Sequence, residues 1–223
     1  MKTILFLHGW GTDEKSFAHI RPFFESNCRC IFVNFDCNPK TVMTLDDYVD
    51  EVEARFLNEV KGSCCIIAHS FGARVAVLLA NRNPNLIEKM VLTGAAGIKP
   101  RFSLKIWLKI KWFKLTGLGN GSIDYQILSA TGKKTFQNII QRDLKRELAK
   151  LYVPTLLIWG KLDKFTPLYM GKIWTKLQKT ATMKIYKAAG HFCFIDDPAC
   201  FITDSWGFLC TAQSSDGGVY VRT

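Results

Sequence analysis

The sequence contains a serine, an aspartate and a histidine that each follow a short apolar run. Ser70 comes after SCCII, Asp163 after PTLLIWG and His191 after TMKIYKA. Side chains of these three types are the nucleophile, acid and base that hydrolytic enzymes combine in nucleophilic catalysis. The sequence therefore predicts a catalytic site, with chain order Ser, Asp, His, if the fold brings the three residues together.

The stretch AHSFG, residues 68–72, joins an apolar run of strand length to ARVAVLLA, which is rich in helix-forming residues. A strand that turns abruptly into a helix can hold its corner residue, here Ser70, in a strained conformation with the side chain exposed. Bulky residues two positions away would clash in so tight a turn, and Ala68 and Gly72 avoid that clash. The alternative is that Ser70 is an ordinary N-cap serine.

Hydrophobic patterns predict the elements that must position these residues. Most of the apolar runs are continuous rather than alternating, which favours strands of a parallel sheet that is covered on both faces. The predicted strands are residues 3–7, 30–35, 63–67, 89–94, 154–160 and 182–188.

Helical patterns lie between several of these runs. One begins after a candidate N-cap, Thr44, and has apolar residues at intervals of three or four up to Val60. Alternating strands and helices indicate an α/β fold with a doubly wound, mostly parallel sheet of about six strands. Sites in such sheets form at the carboxyl ends of the strands, which is where Ser70, Asp163 and His191 fall.

Four motifs together resemble those of the α/β-hydrolase family: HGWG (8–11), AHSFG (68–72), LIWGKLD (157–163) and AAGH (188–191). The resemblance covers residues 3–209. Two features depart from the family pattern. The elbow begins with Ala68 instead of the usual glycine, and the family's first two strands are missing because HGWG comes almost at the N-terminus. The resemblance thus implies a trimmed α/β-hydrolase fold with a helical cap insertion.

The resemblance also implies roles for individual residues. Ser70 would be the nucleophile, His191 would take and return its proton, and Asp163 would hold the imidazole in the right tautomer. The oxyanion hole would use the backbone N–H groups of Phe71 and Trp10.

Neighbouring residues are predicted to shape the substrate site. Gly9 and Gly11 let the HGWG loop approach closely. Trp10, Phe71 and Phe192 are candidates for an apolar acyl pocket, although each aromatic side chain is equally compatible with the core.

Other candidates for catalysis are weaker. Asp36 follows the second predicted strand and is an alternative to Asp163 as the acid. His69 is a poor base for Ser70, because adjacent residues project in different directions. His19 is expected on a helix surface and Cys193 in the core. The cysteines have no metal-ligand spacing, so neither a metal site nor a cofactor is predicted.

Positive charge is concentrated in one part of the chain. Of the formal net charge of +11, residues 99–150 contribute +9, from twelve Lys/Arg and three Asp/Glu.

As a helix, RFSLKIWLKIKWFKL (101–115) would present two apolar stripes, whereas a surface helix needs one. The second stripe would face a substrate, a partner or a membrane, or be buried. We expect 99–150 to form a basic cap on a core of 1–98 and 151–210, with 211–223 as a flexible tail.

A serine at position 70 disfavours the dehalogenases and epoxide hydrolases of this family, which need a carboxylate there. The prediction is a carboxylesterase-like serine hydrolase that cleaves a small to medium ester through an acyl-enzyme. Three alternatives remain open. The ester could sit on an acidic carrier protein or coenzyme A held by the basic cap, the bond cleaved could be carbon–carbon, or the protein could be a non-catalytic binder of a ligand or an anionic membrane surface.

Composition narrows the class of protein further. With 48% hydrophobic and 22% charged residues, the chain is expected to be globular. No apolar run approaches the roughly 20 residues of a membrane span, and the N-terminal apolar stretch breaks at His8, too early for a signal peptide. Eight cysteines without a C-x-x-C pair suggest reduced thiols in a cytoplasmic protein. No nucleic-acid-binding motif is recognised.

Overall fold

The computed structural model describes residues 1–60, 62–99 and 128–211. In these residues six strands form one sheet, and every neighbouring pair is parallel. The strand order is β2-β1-β3-β4-β5-β6, so the chain reverses its direction of travel across the sheet after β2. The predicted doubly wound α/β fold is confirmed as a six-stranded parallel sheet.

All six predicted strands are present, with small differences at their ends. β3 continues two residues beyond its predicted end because the pairing with β4 extends to His69 opposite Thr93. Ser70 therefore follows the strand directly. The strands are β1 (Thr3–Leu7), β2 (Arg29–Val33), β3 (Cys64–His69), β4 (Ile87–Thr93), β5 (Thr155–Gly160) and β6 (Ala181–Tyr186).

Helices cover both faces of the sheet. One apolar layer packs α2, α3 and α6 against it, and the other packs α1 and α8. The central helix is α3, whose first ten residues are all buried. The described helices are α1 (Arg21–Asn27), α2 (Leu45–Glu59), α3 (Phe71–Arg82), α4 (Ala130–Gln141), α5 (Lys145–Ala149), α6 (Leu168–Leu177), α7 (Cys193–Asp196) and α8 (Pro198–Cys210).

The predicted N-cap of α2 is confirmed by its hydrogen bonds. Thr44 Oγ1 accepts the N–H of Asp47 at 3.3 Å, and Asp47 Oδ2 accepts the N–H of Thr44 at 2.6 Å. This reciprocal pair is a capping box with aspartate in the acidic position.

Part of the predicted cap segment is described. Residues 128–150 contain α4 and α5 and, within this described part, no strand. The two-striped segment 101–115 lies outside the described residues, as does 212–223, so the boundaries of the cap and the tail remain predictions. No helix among the described residues is both long and apolar enough to cross a membrane.

Candidate active site

Ser70 lies at the turn between β3 and α3 in an unusual backbone conformation. Its φ of 48° and ψ of −107° make it the only non-glycine residue of positive φ in the described part of the chain. Such a conformation persists only where surrounding contacts fix it. The Ser70 N–H donates to Thr93 O at 3.1 Å, and its carbonyl accepts from Ala73 N and Ala96 N at 3.2 and 3.1 Å. The side chain makes no capping bond to α3, so Ser70 is not an ordinary N-cap serine.

Close packing explains the small residues on either side of Ser70. A Cβ on Gly72 would lie 2.3 Å from the carbonyl oxygen of Leu7, a distance that side chains do not reach. The Gly72 N–H instead donates to His8 O at 3.1 Å, joining the start of α3 to the end of β1. Ala68 lies in β3 opposite Leu7 and Leu92 and is fully buried, so the sheet accommodates its methyl group.

His191 and Asp163 form a buried hydrogen-bonded pair. Nδ1 of His191 lies 2.8 Å from Oδ2 of Asp163, and their side chains are 8% and 0% exposed. The carboxylate can only accept, so Nδ1 carries the proton and Nε2 is left with its lone pair. This is the tautomer that a base for a hydroxyl group needs.

The loop around Asp163 stabilises its charged form. Oδ1 accepts the N–H groups of Phe165 and Thr166 at 2.8 and 2.9 Å, and the Thr166 hydroxyl donates to Oδ2 at 2.8 Å. Burial by itself would raise the pKa of Asp163, but the hydrogen bonds from His191 and Thr166 hold that pKa below its ordinary value. The carboxylate is therefore ionised at neutral pH.

The HGWG loop is fixed by a buried histidine. His8 Nδ1–H donates to Gly9 O at 2.7 Å, and His8 Nε2 accepts the N–H of Phe35 at 2.9 Å. The Thr12 hydroxyl also donates to Gly9 O at 3.0 Å. Because C=O and N–H of a trans peptide point in opposite directions, these bonds turn the N–H of Trp10 away from His8.

Two backbone N–H groups near Ser70 have no acceptor among the described residues: those of Trp10 and Phe71. Phe71 is the first residue of α3, where unpaired N–H groups and the helix dipole favour negative charge. The Trp10 ring packs edge-on against Phe71, with 5.3 Å between ring centroids. These amides are suitable donors for an oxyanion.

A cavity of about 430 Å³ opens at these residues. Ser70 and His191 both border it, although the Ser70 hydroxyl is not hydrogen-bonded to His191 in this structure. Such bonds often tighten only when substrate binds. Gly11 is not among the described residues that line the cavity; its φ of 75° turns the loop instead. Besides Ser70 and His191, the lining includes the predicted site residues Gly9, Trp10, Phe71 and Phe192 and the apolar residues Ile98, Leu128, Phe136, Ile139, Ile140 and Met170.

Sequence reasoning missed three residues that position His191. Thr166 supports Asp163 as described above. His69 lies with its ring centroid 4.7 Å from that of His191, and its Nε2–H donates to the His191 carbonyl at 3.2 Å. Gly94, at φ 51°, lies directly against the imidazole. Of these three residues, only Gly94 could have been found from its local sequence, VLTGAAG, in which a glycine directly follows a strand.

Replacing Gly94 with alanine should lower kcat by about 10²-fold, the typical cost of displacing a catalytic group by an ångström. The added Cβ would lie 2.9 Å from His191 Nδ1, and alanine is strained at this φ. The measurement is steady-state hydrolysis of a nitrophenyl ester, which represents the substrate class that the sequence predicts. Gly207→Ala in α8 is the matched control, because nothing lies within 4 Å of its added Cβ. Wild-type kcat in Gly94→Ala would contradict the prediction.

Acid should destabilise the folded protein through its two buried histidines. Burial lowers the pKa of His8, and burial together with the neighbouring His191 holds the pKa of His69 well below its usual range. The unfolded chain then binds more protons below pH about 6.5, so each group lowers the unfolding free energy as the pH falls, by about 1.4 kcal/mol per pH unit wherever it is protonated only in the unfolded chain.

Urea denaturation between pH 7.5 and 5 measures this slope. In His69→Phe one of the two groups is removed, so the slope should become shallower whatever the change in overall stability. An unfolding free energy that stays flat or rises as the pH falls from 6.5 to 5 would exclude this account.

The remaining candidates lie away from the cavity. Asp36 is exposed and its Oδ1 accepts the N–H of Asn38 at 2.8 Å, so it is not a partner of His191. His19 is exposed in a turn, and its expected place on a helix surface is wrong because the helix begins two residues later. Cys193 is fully buried in the core, as predicted. No metal-binding group of three or more His, Cys, Asp or Glu occurs among the described residues.

Comparison with known proteins places this chain in a family. The profile of the Alpha/beta hydrolase family matches residues 4–201, so the chain belongs to that family. A strigolactone esterase from Pisum sativum is 32% identical over 111 residues, which cover 45% of this chain and 40% of the esterase. A 2-hydroxy-6-oxononadienedioate/2-hydroxy-6-oxononatrienedioate hydrolase from Paraburkholderia xenovorans is 23% identical over 236 residues, 86% of this chain and 85% of that enzyme.

Solved structures agree with the fold. A hydrolase from Oleispira antarctica superposes with a TM-score of 0.79 at 15% identity, covering 95% of this chain and 92% of that one. At this identity the likeness concerns the fold alone. The match to the Pisum esterase spans only 40% of its length, so substrate and partners have to be argued from the site.

Proposed function

We propose that this protein is a serine hydrolase that cleaves a small to medium carboxylic ester through an acyl-enzyme intermediate. The observation that carries the proposal is the buried pair of His191 and Asp163 on the same cavity as the strained Ser70. An imidazole whose Nδ1–H is held by a carboxylate has its Nε2 free to take a hydroxyl proton.

The proposed reaction has two parts. The Ser70 oxygen attacks the ester carbonyl while His191 Nε2 takes the hydroxyl proton, and the N–H groups of Trp10 and Phe71 stabilise the oxyanion. His191 then returns the proton to the departing alcohol, leaving an acyl group on Ser70. Water attacks the acyl-enzyme by the same route, and the carboxylic acid leaves.

The cavity supports a compact, apolar substrate. Its volume of about 430 Å³ is near the lower end of the usual range for small-molecule sites, roughly 300 to 1,000 Å³. Apart from the catalytic groups, its walls are mainly aliphatic and aromatic side chains, and the one charged residue of the described wall, Arg74, has its Nη1 bound to the carbonyl groups of Ile139 and Arg142. Such walls favour an acyl group without charge.

A second candidate is hydrolysis of a carbon–carbon bond. The specific support is the similarity to the Paraburkholderia hydrolase over most of both chains. An assay with a dienone acid, in which the loss of its absorbance is monitored, distinguishes this reaction from ester hydrolysis. The segment 101–115, which would dock a carrier protein or a membrane, lies outside the described residues, so those alternatives remain predictions from the sequence.

Labelling with a fluorophosphonate tests the proposed nucleophile. We expect one label per chain, on the peptide that contains Ser70, and slower labelling in the presence of a hydrolysed ester. A series of nitrophenyl esters of increasing acyl length then defines the substrate range. No label, or a label on another residue, would reject the proposal.

A further inference from the structure

A buried arginine connects the nucleophile helix to a wall of the cavity. Arg74 lies one helical turn after Ser70 on α3, is 5% exposed and borders the cavity. Its Nη1 donates to the carbonyl oxygens of Ile139 and Arg142 at 3.0 and 2.8 Å. Ile139 is in the last turn of α4 and Arg142 is its C-cap. Arg74 therefore binds the C-terminal end of α4.

The chemistry of this contact suits a buried cation. The last carbonyl groups of a helix lack partners within the helix and carry partial negative charge. Burial lowers the pKa of Arg74 to about 10, so the guanidinium stays charged at neutral pH. Arg74 has no ion pair with a carboxylate in the described part of the chain. The carbonyl groups at the end of α4 accept its hydrogen bonds, and the nearby carboxylate of Asp143 also favours the charged guanidinium.

The two ends of α4 are held by different contacts. Near the N-terminal half, Thr135 Oγ1 accepts the N–H of Met43 at 3.0 Å, and Ser129 caps the helix. At the C-terminal end, Arg142 also pairs with Asp46 of α2. Loss of Arg74 would thus remove the two bonds to the last carbonyl groups of α4 and loosen that turn, whereas the contacts of Thr135, Ser129 and Arg142 would remain.

That C-terminal turn supplies part of the cavity wall. Ile139 and Ile140 both line the cavity, and Ile139 is the residue whose carbonyl Arg74 binds. We propose that Arg74 is a positioning residue that sets acyl-chain selectivity by fixing this wall at a constant distance from Ser70. The inference rests on the proposed hydrolase function and adds a selectivity determinant to it.

The test compares Arg74→Met and Arg74→Lys with the wild type. Arg74→Met keeps the stem and removes the charge, whereas lysine restores a cation and its N–H donors. With nitrophenyl esters from acetate to decanoate, Arg74→Met should reduce the ratio of kcat/KM between best and worst ester by about tenfold, mostly through KM. Arg74→Lys should recover part of that ratio.

Lys89 provides a matched control. It is also a buried cation at a helix C-terminus, where Nζ donates to the carbonyl oxygens of Phe208 and Thr211 at 2.8 and 2.5 Å beside α8. It does not border the cavity. Lys89→Met should lower stability and leave the chain-length profile unchanged.

Hydrogen exchange of residues 137–142 gives a readout that is independent of activity. Faster exchange in Arg74→Met, with a flattened chain-length profile, supports the inference. An unchanged profile in folded Arg74→Met, or the same flattening in Lys89→Met, overturns it. If the wild type neither reacts with the fluorophosphonate nor cleaves any ester, the proposed function is wrong. Independently of that result, unchanged hydrogen exchange in Arg74→Met would show that Arg74 does not hold the end of α4.

Discussion

Replacing Ser70 with alanine should remove ester hydrolysis, with kcat falling about 10⁶-fold, the loss seen when a serine protease loses its nucleophile. Stability should change by less than about 0.5 kcal/mol, because the hydroxyl makes no capping bond. The backbone contacts that hold the turn, from Thr93 and Ala96, do not involve the side chain. Steady-state kinetics and urea denaturation of the same preparation measure both effects.

Thr44→Ala is the matched control, since it also removes a hydroxyl group directly before a helix. The Thr44 hydroxyl does cap α2, so its loss should cost about 1 kcal/mol of stability and leave kcat unchanged. An active Ser70→Ala variant with lowered stability would contradict this prediction and would show that Ser70 is a structural N-cap.

The sheet was predictable because its signals are local. A strand buried on both faces must be apolar over several consecutive residues, and most of the six runs met that condition. The run that forms β6 did not, because it contains Lys184, and none of its residues is fully buried. Strand ends were less predictable. β3 extends to the polar His69 because pairing with β4 continues there, and pairing depends on residues distant in the sequence.

The candidate triad was predictable for a related reason. In a parallel sheet every strand that shares the site ends at the same edge, so a polar residue soon after a strand already has an approximate position. Asp163 and His191 come three and five residues after the ends of β5 and β6. Because both offsets are short, the two side chains meet at this edge, with 2.8 Å between His191 Nδ1 and Asp163 Oδ2.

The supporting contacts were not predictable, because each joins segments far apart in the chain. Gly94 is adjacent to His191 across 97 residues, and Arg74 meets Ile139 across 65. Neither residue type has a periodic signal: a glycine after a strand suggests a turn, and an arginine in a helix suggests the surface. Arg74 is buried because of where α4 lies, and the sequence around Arg74 does not reveal the position of α4.

Replacing Asp163 with asparagine should lower kcat about 10⁴-fold, the effect of the same change in serine protease triads. The amide keeps the shape of the carboxylate, but its NH₂ group cannot accept the Nδ1–H of His191. The imidazole then favours the tautomer with the proton on Nε2, which cannot take the proton of Ser70. Because the carboxylate pKa is lowered in the fold, its contribution to stability is present above pH about 4 and is lost only as the pH falls further.

The variant Asp36→Asn tests the alternative that the sequence leaves open, in which Asp36 takes the place of Asp163 as the acid. Asp36 is exposed and hydrogen-bonded within its own turn, so this variant should keep kcat within about twofold. If Asp36→Asn lost activity while Asp163→Asn retained it, the acid would have been assigned to the wrong strand end.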